Sequence, residues 1–309
     1  MSALHRKRVF ILGGGAALGA HQVGAMRLLE EEGVTPDAIV GSSIGVINAS
    51  LYASGGVDNM AEAWLALAGG SFFRPSLRHN PFTGRSLVSV DRLAERVEQF
   101  IDFDKLLTSP LELSYILLNL SRGEGQFYSN RQARGAEELQ QITRAGYSIP
   151  ILFPPVQVRG EFYVDGGFAW NVPLLQAVEM GATEIVVLAV VATALPFRGS
   201  FGGIMDYAAR VSDVLWRTLG NVGYVTTRIE DDGTYRGVPV TVVHPTEELA
   251  GFSLPGVFST SRARSQRLMT AGYRDAKREL MRARRSKEAA PGPAPPQLEV
   301  EPAFRHEIT

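Results

Sequence analysis

The sequence contains no cysteine among its 309 residues. That excludes disulfides, thiolate metal sites and a cysteine nucleophile, and leaves the redox compartment open. Net charge is almost absent as well: 31 Lys+Arg against 32 Asp+Glu give −1 at pH 7. No global field therefore draws the chain to nucleic acid or to acidic substrates. Internal repeats are lacking, and so is a dry membrane-length run. Residues 38–57 carry no charge, but four serines, four glycines and Asn48 make them too polar to insert. His5–Arg8 followed by Val9–Ala20 has the charge-then-apolar order of an export signal. Four glycines interrupt that run and a charged helix follows directly. Export is not expected; a cytoplasmic protein is, at most peripheral at a membrane.

With 45% hydrophobic and 20% charged residues, the composition is that of a globular chain with ample core. Length alone admits two domains, but α/β folds often use this length for one. We expect a flexible start over 1–8, one α/β domain over 9–285 with its chemistry in 9–191, and a disordered Ala/Pro/Glu-rich tail over 286–309. Val9-Phe10-Ile11-Leu12 reads as a strand buried on both faces of a parallel sheet. A glycine-rich loop, Gly13–Gly19, leads from it into a helix over about 20–32. Ala38-Ile39-Val40 is a second short strand. A small-residue helix over 44–53 follows, then a break at Gly55-Gly56 and another helix from Asp58 to Leu67.

Residues 69–86 form a long loop in which Phe72, Phe73 and Phe82 stand beside Arg74, Arg78 and Arg85. Those rings can pack beneath the loop, or with the arginines sit at the lipid headgroup level. Helices are expected over 91–100, 104–107 and 131–145, and a strand over 111–117. Ile149–Pro155 is a rigid apolar connection. A hairpin, Val156–Val158 with Phe162–Val164, ends on Asp165-Gly166-Gly167. A helix over 174–180 and a β-branched strand over 185–191 follow. Beyond Pro196 the pattern suggests a helix over 204–219, a strand over 239–243 and a final helix over about 260–285. That last helix packs one stripe on the sheet; its basic faces are solvated or drawn to anionic headgroups.

The chemistry centres on Gly41-Ser42-Ser43-Ile44-Gly45, a Gly-x-Ser-x-Gly turn between strand and helix. Such a turn lifts the serine hydroxyl out of the sheet, and the helix behind it aims its positive end at charge developing there. Ser43 is thus the candidate nucleophile. The backbone of the glycine-rich loop suits an oxyanion hole. Two arrangements compete for the base. One is a triad of Ser43, Asp165 and His244, in the α/β-hydrolase order, although only one strand precedes this serine. The other is a dyad in which Asp165 is itself the base, its weak basicity raised by burial. A dinucleotide-binding fold predicts an acid at the end of the second strand, where Val40-Gly41-Ser42 stands. A phosphate-binding P-loop fails because no Gly-Lys-Ser/Thr follows the glycines.

Several motifs in this order resemble the patatin-like phospholipases, the bacterial ones in particular. They are the glycine-rich loop with its helix ending Leu28-Leu29-Glu30-Glu31, Gly41-x-Ser43-x-Gly45, Ile149–Pro155, and Asp165-Gly166-Gly167 followed by Asn171-x-Pro173. The resemblance implies a three-layer α/β/α sandwich around a mostly parallel sheet, with a Ser43–Asp165 dyad. It further implies an oxyanion hole from Gly14, Gly15 and Ala16, and lipid acyl esters as substrates. No cofactor, metal or nucleic-acid partner is expected. The activity expected is that of a phospholipase A, lysophospholipase or esterase; a transacylase and a silent lipid-binding scaffold are the alternatives. Residues 69–86 and the basic helix over 260–285 are the candidates for any peripheral membrane contact. The chain departs from the family's usual loop in carrying Ala16 for the third glycine and Leu18 for a basic residue.

Overall fold

The computed structural model describes residues 6–68, 91–190, 199–204, 206–207, 210–211, 214, 229–245 and 261–289, with backbone alone at 91–92 and 286–289. The loop expected over 69–86, most of the helix expected over 204–219 and most of the expected tail lie outside those residues. Among the described residues the strands are β1 (Arg8–Leu12), β2 (Ala38–Gly41), β3 (Glu112–Asn119), β4 (Glu124–Ser129), β5 (Val156–Val158), β6 (Glu161–Asp165), β7 (Glu184–Leu188), β8 (Thr234–Tyr235) and β9 (Val238–Val243). The helices are α1 (Ala20–Glu31), α2 (Ile44–Leu67), α3 (Asp91–Glu98), α4 (Phe103–Thr108), α5 (Ala136–Tyr147), α6 (Leu174–Glu179) and α7 (Arg262–Ala289). No helix among the described residues is long and apolar enough to cross a membrane.

The nine strands form one sheet in the order β5-β6-β3-β2-β1-β7-β9-β8, with β4 also on β3. β3, β2, β1, β7 and β9 run parallel, while β4, β6, β5 and β8 pair antiparallel. Alternation along β1 divides its side chains between the two faces, as the pleat requires. Phe10 and Leu12 join a core with α1, α2, α4, α5 and α7, through residues such as Leu29, Ile47, Leu106, Ile142 and Leu268. Val9 and Ile11 face the other way, against Leu174 and Ala177 of α6. Helices on both faces of a mainly parallel sheet make the expected α/β/α sandwich.

Several boundaries differ from the sequence reading. Arg8 belongs to β1 rather than to a flexible start: its guanidinium reaches Glu184 at 2.9 Å and its backbone N–H donates to Asp37 at 2.7 Å. β7 stops at Leu188, short of the expected Val191. β4 is a strand that sequence reasoning missed, because Glu124-Gly125-Gln126 lacks an apolar alternation and the strand is only half covered. α5 starts at Ala136 rather than near Arg131, since Ser129 and Gln132 form a capping box around a separate 3-10 turn over Asn130–Gln132. The expected break in α2 is present as non-helical backbone at Gly55 and Gly56.

α7 lies across α1 at very short range. A Cβ on Gly24 would stand 1.7 Å from the Met269 carbonyl oxygen, and one on Gly272 would stand 1.8 Å from that of His21. At the same crossing His21 Nε2 meets Asp275 Oδ2 at 2.9 Å, both side chains fully buried. Asp275 also accepts from Arg278 at 3.0 Å. A buried carboxylate needs such additional hydrogen bonds to offset its desolvation.

Candidate active site

The sheet's own register brings the candidate nucleophile and base together. β4 covers one edge of β3 from Ser114 to Asn119. The opposite edge is shared: β2 takes its first half, with Gly41 opposite Tyr115, and β6 its second, with Asp165 opposite Leu117. β2 and β6 thus approach the same stretch of β3 end to end from opposite directions. Asp165 stands two residues beyond Gly41, about 7 Å along the edge. The turn that carries Ser43 falls between them.

Ser43 has φ 54° and ψ −122°, a strained conformation for a non-glycine residue, and it caps α2. The Gly45 and Val46 N–H groups close this turn on the Ser42 and Ser43 carbonyls, at 2.8 and 2.9 Å. The turn is possible because Gly45 lies against β1, where a Cβ would stand 1.9 Å from the Leu12 carbonyl oxygen. Gly41 is equally confined beside Val46. The Gly167 N–H donates to Asp165 Oδ1 at 2.8 Å, and the Ser43 side chain lies near enough to the same carboxylate to hold its pKa down. Burial pushes the Asp165 carboxyl up to about 6, and the nearby Ser43 side chain and the Gly167 N–H keep it from rising further. A carboxylate in this range is a competent acceptor near neutral pH. The Asp165 N–H donates to the Ser148 carbonyl at 2.9 Å, fixing the end of β6 to the end of α5. Gly166 packs on Ile116, and Gly167 brings its backbone beside Ser42 and Asp165.

His244 is elsewhere. It follows β9, which is separated from β2 by β1 and β7, about 14 Å across the sheet. Its Nδ1 lies 3.1 Å from the Pro245 carbonyl. The structure brings Ser43 and Asp165 together and leaves His244 out of reach.

The three loop amides are not equivalent. Gly14 N–H donates to Asn171 Oδ1 at 2.5 Å and the Asn171 amide returns to the Gly14 carbonyl at 3.3 Å. The Gly14 N–H is thus engaged by Asn171 in this structure. Gly15 and Ala16 have no protein acceptor for their N–H groups among the described residues. Ala16 adopts φ 49°, a left-handed conformation that costs a Cβ-bearing residue about 1–2 kcal/mol. Gly14 packs tightly on the serine, where a Cβ would fall 2.6 Å from Ser43 Cβ.

A buried amide network holds the loop from behind. Gln22 donates to the Gly13 and Leu188 carbonyls at 2.8 and 2.9 Å. Asn48 donates to Gln22 and to the Gly19 carbonyl, and Trp64 Nε1 donates to Asn48 at 2.8 Å. Sequence reasoning assigned none of these residues a role. Their signal was present: Gln22 and Asn48 are amides inside apolar helices, and buried amides are rarely idle.

A family model described as patatin-like phospholipase matches residues 10–178. The chain is 27% identical over 180 residues to a patatin-like phospholipase domain-containing protein of Caenorhabditis elegans, covering 57% of this chain and 13% of that one. It is 28% identical over 178 residues to a lysophospholipase of Aspergillus terreus, covering 57% of this chain and 11% of the relative. The chain thus matches only a small part of those much longer relatives. Among solved structures, VipD from Legionella pneumophila superposes with a TM-score of 0.51 at 14% identity, over 90% of this chain and 67% of that one. A likeness at that identity speaks for the fold alone. With a family model spanning more than half of its residues, this chain belongs to the patatin-like phospholipase family.

Proposed function

We propose that this protein is a serine lipid acyl hydrolase of the phospholipase A, lysophospholipase or esterase type. The observation that carries the reading is the placement of Ser43 beside a buried Asp165 where β2 and β6 meet on β3, with the carboxyl raised to about 6 by burial. In the proposed reaction Ser43 Oγ attacks the ester carbonyl carbon as Asp165 takes the hydroxyl proton. The negative oxygen of the tetrahedral intermediate accepts hydrogen bonds from the Gly15 and Ala16 N–H groups, beside the positive end of α2. Collapse breaks the ester C–O bond, and the departing alcohol receives the proton held by Asp165. Water then attacks the acyl-serine, its proton passes to Asp165, and the serine is regenerated with release of the fatty acid. Lipid esters are proposed as the substrates on the strength of the family and of the named relatives.

The test is hydrolysis of a soluble short-chain ester. Ser43→Ala and Asp165→Asn are expected to abolish turnover, and His244→Ala to retain most of it. A large loss in His244→Ala would overturn the dyad. The left-handed Ala16 favours one second reading, a lipid-binding scaffold with a disabled oxyanion loop. Labelling of the wild type but not of Ser43→Ala by a fluorophosphonate probe rejects that reading.

A further inference from the structure

Ile151 combines two unfavourable features. It is the most exposed large apolar side chain among the described residues, at 79%. Its φ is 70°, and of the described non-glycine residues with positive φ it alone is β-branched. Glycine adopts this conformation freely, whereas a β-branched residue is a genuine outlier there. Neither feature is offset within the protein, for an exposed side chain gains nothing from packing. Strain of this kind persists where a functional state uses it.

The surroundings indicate that use. Ile151 is the tip of a tight turn between α5 and β5, closed by the Phe153 N–H donating to the Ile149 carbonyl at 2.9 Å. Phe153 is buried, and Ile149 and Leu152 pack against the core, so the turn is rooted on both sides of its tip. From Ala145 to Val158 the sequence has no charged residue, and Pro150, Pro154 and Pro155 have no N–H to desolvate. Insertion of the tip into an apolar medium therefore strips water from few polar groups. The turn is also next to the site, because Ser148, three residues before the tip, accepts the Asp165 N–H.

We propose that Ile151 is an anchor that inserts into the surface of aggregated lipid and seats the Ser43–Asp165 site against it. The choice of a lipid surface as the occupant rests on the lipid acyl hydrolase reading above. The uncharged turn calls for no anionic headgroup, so a neutral surface suffices.

The experiment measures co-sedimentation with neutral phosphatidylcholine vesicles in a Ser43→Ala background, where no lipid is consumed. Ile151→Gly is expected to weaken binding by about tenfold, the effect of withdrawing one aliphatic side chain from lipid. The same change relieves the backbone, so the melting temperature is expected to hold or rise by about 2 °C. Ile151→Leu keeps vesicle binding, and with Ser43 intact both variants turn over a soluble short-chain ester at the wild-type rate. Equal vesicle binding by Ile151→Gly and its parent overturns the proposal. A lower melting temperature in Ile151→Gly overturns it in favour of a structural role, and a shift in oligomeric state overturns it in favour of a self-contact. Vesicle binding is read in an inactive background, so a failure of ester turnover in the wild type strikes the hydrolase reading separately.

Discussion

Replacing Asp165 with asparagine removes a buried charge while keeping the shape of the side chain and a carbonyl oxygen for the Gly167 N–H. The carboxyl is raised from an ordinary 3.8 to about 6 in the folded chain, chiefly by burial. At 1.36 kcal/mol per pH unit this rise corresponds to about 3 kcal/mol. The sign follows from proton binding. Between 3.8 and 6 the folded protein holds a proton that the unfolded chain has released, so stability falls as pH climbs through this window. Below it both states are neutral and the residue costs nothing. Above it the folded chain carries a buried carboxylate and is less stable by about 3 kcal/mol on this account. Asp165→Asn is therefore expected to match the wild type near about pH 4 and to exceed it by about 3 kcal/mol near about pH 8. Denaturant unfolding of both proteins across that range measures the difference, in which the other titrating groups cancel. Activity moves the opposite way, because only the ionised carboxylate can accept the serine proton: wild-type kcat/KM should rise with pH through about 6. Parallel stability profiles for the two proteins would refute the reasoning, since they would mean that burial does not hold the proton on Asp165.

Two further outcomes follow from the loop and the helix crossing. Asn171→Ala leaves the Gly14 N–H buried without its acceptor, which should cost about 1–3 kcal/mol and lower kcat more than it raises KM, as steady-state kinetics will show. Gly24→Ala places a methyl group inside the Met269 carbonyl. Forcing α7 away from α1 should destabilise the protein by about 2 kcal/mol or more, seen as a fall in melting temperature with the ester-binding parameters little changed.

The parts of this fold that were legible in the sequence are those with local causes. The uninterrupted apolar run Val9–Leu12 announced a strand buried on both faces, and all four side chains are buried. The glycines around Ser43 announced a turn, and the paired apolar segments Val156–Val158 and Phe162–Val164 announced a hairpin; both are present. β4 escaped because its pairing along β3 decides it, not its own polar sequence. The use of Gly14 by Asn171 escaped for a similar reason, the two being 157 residues apart. Local sequence shows an amide to be available; it cannot show which distant side chain has already claimed it. The same limit hid His21 and Asp275, and it left His244 an open rival until strand order separated it from Ser43.

The crossing of α1 and α7 has a consequence for the order of assembly. α1 springs from the glycine-rich loop after β1, yet one of its faces is covered by α7, more than 200 residues further on. On a ribosome the loop, the serine turn and Asp165 all emerge well before residue 262. Until α7 arrives, Gly24 and His21 face solvent, and a half-built protein offers an apolar helix to any passing chain. Contacts spanning some 250 residues are slow to close, so maturation of this region waits on the synthesis of α7. The family segment 10–178 excludes α7 altogether. An isolated fragment with those boundaries would carry both Ser43 and Asp165 and still lack the helix that covers α1.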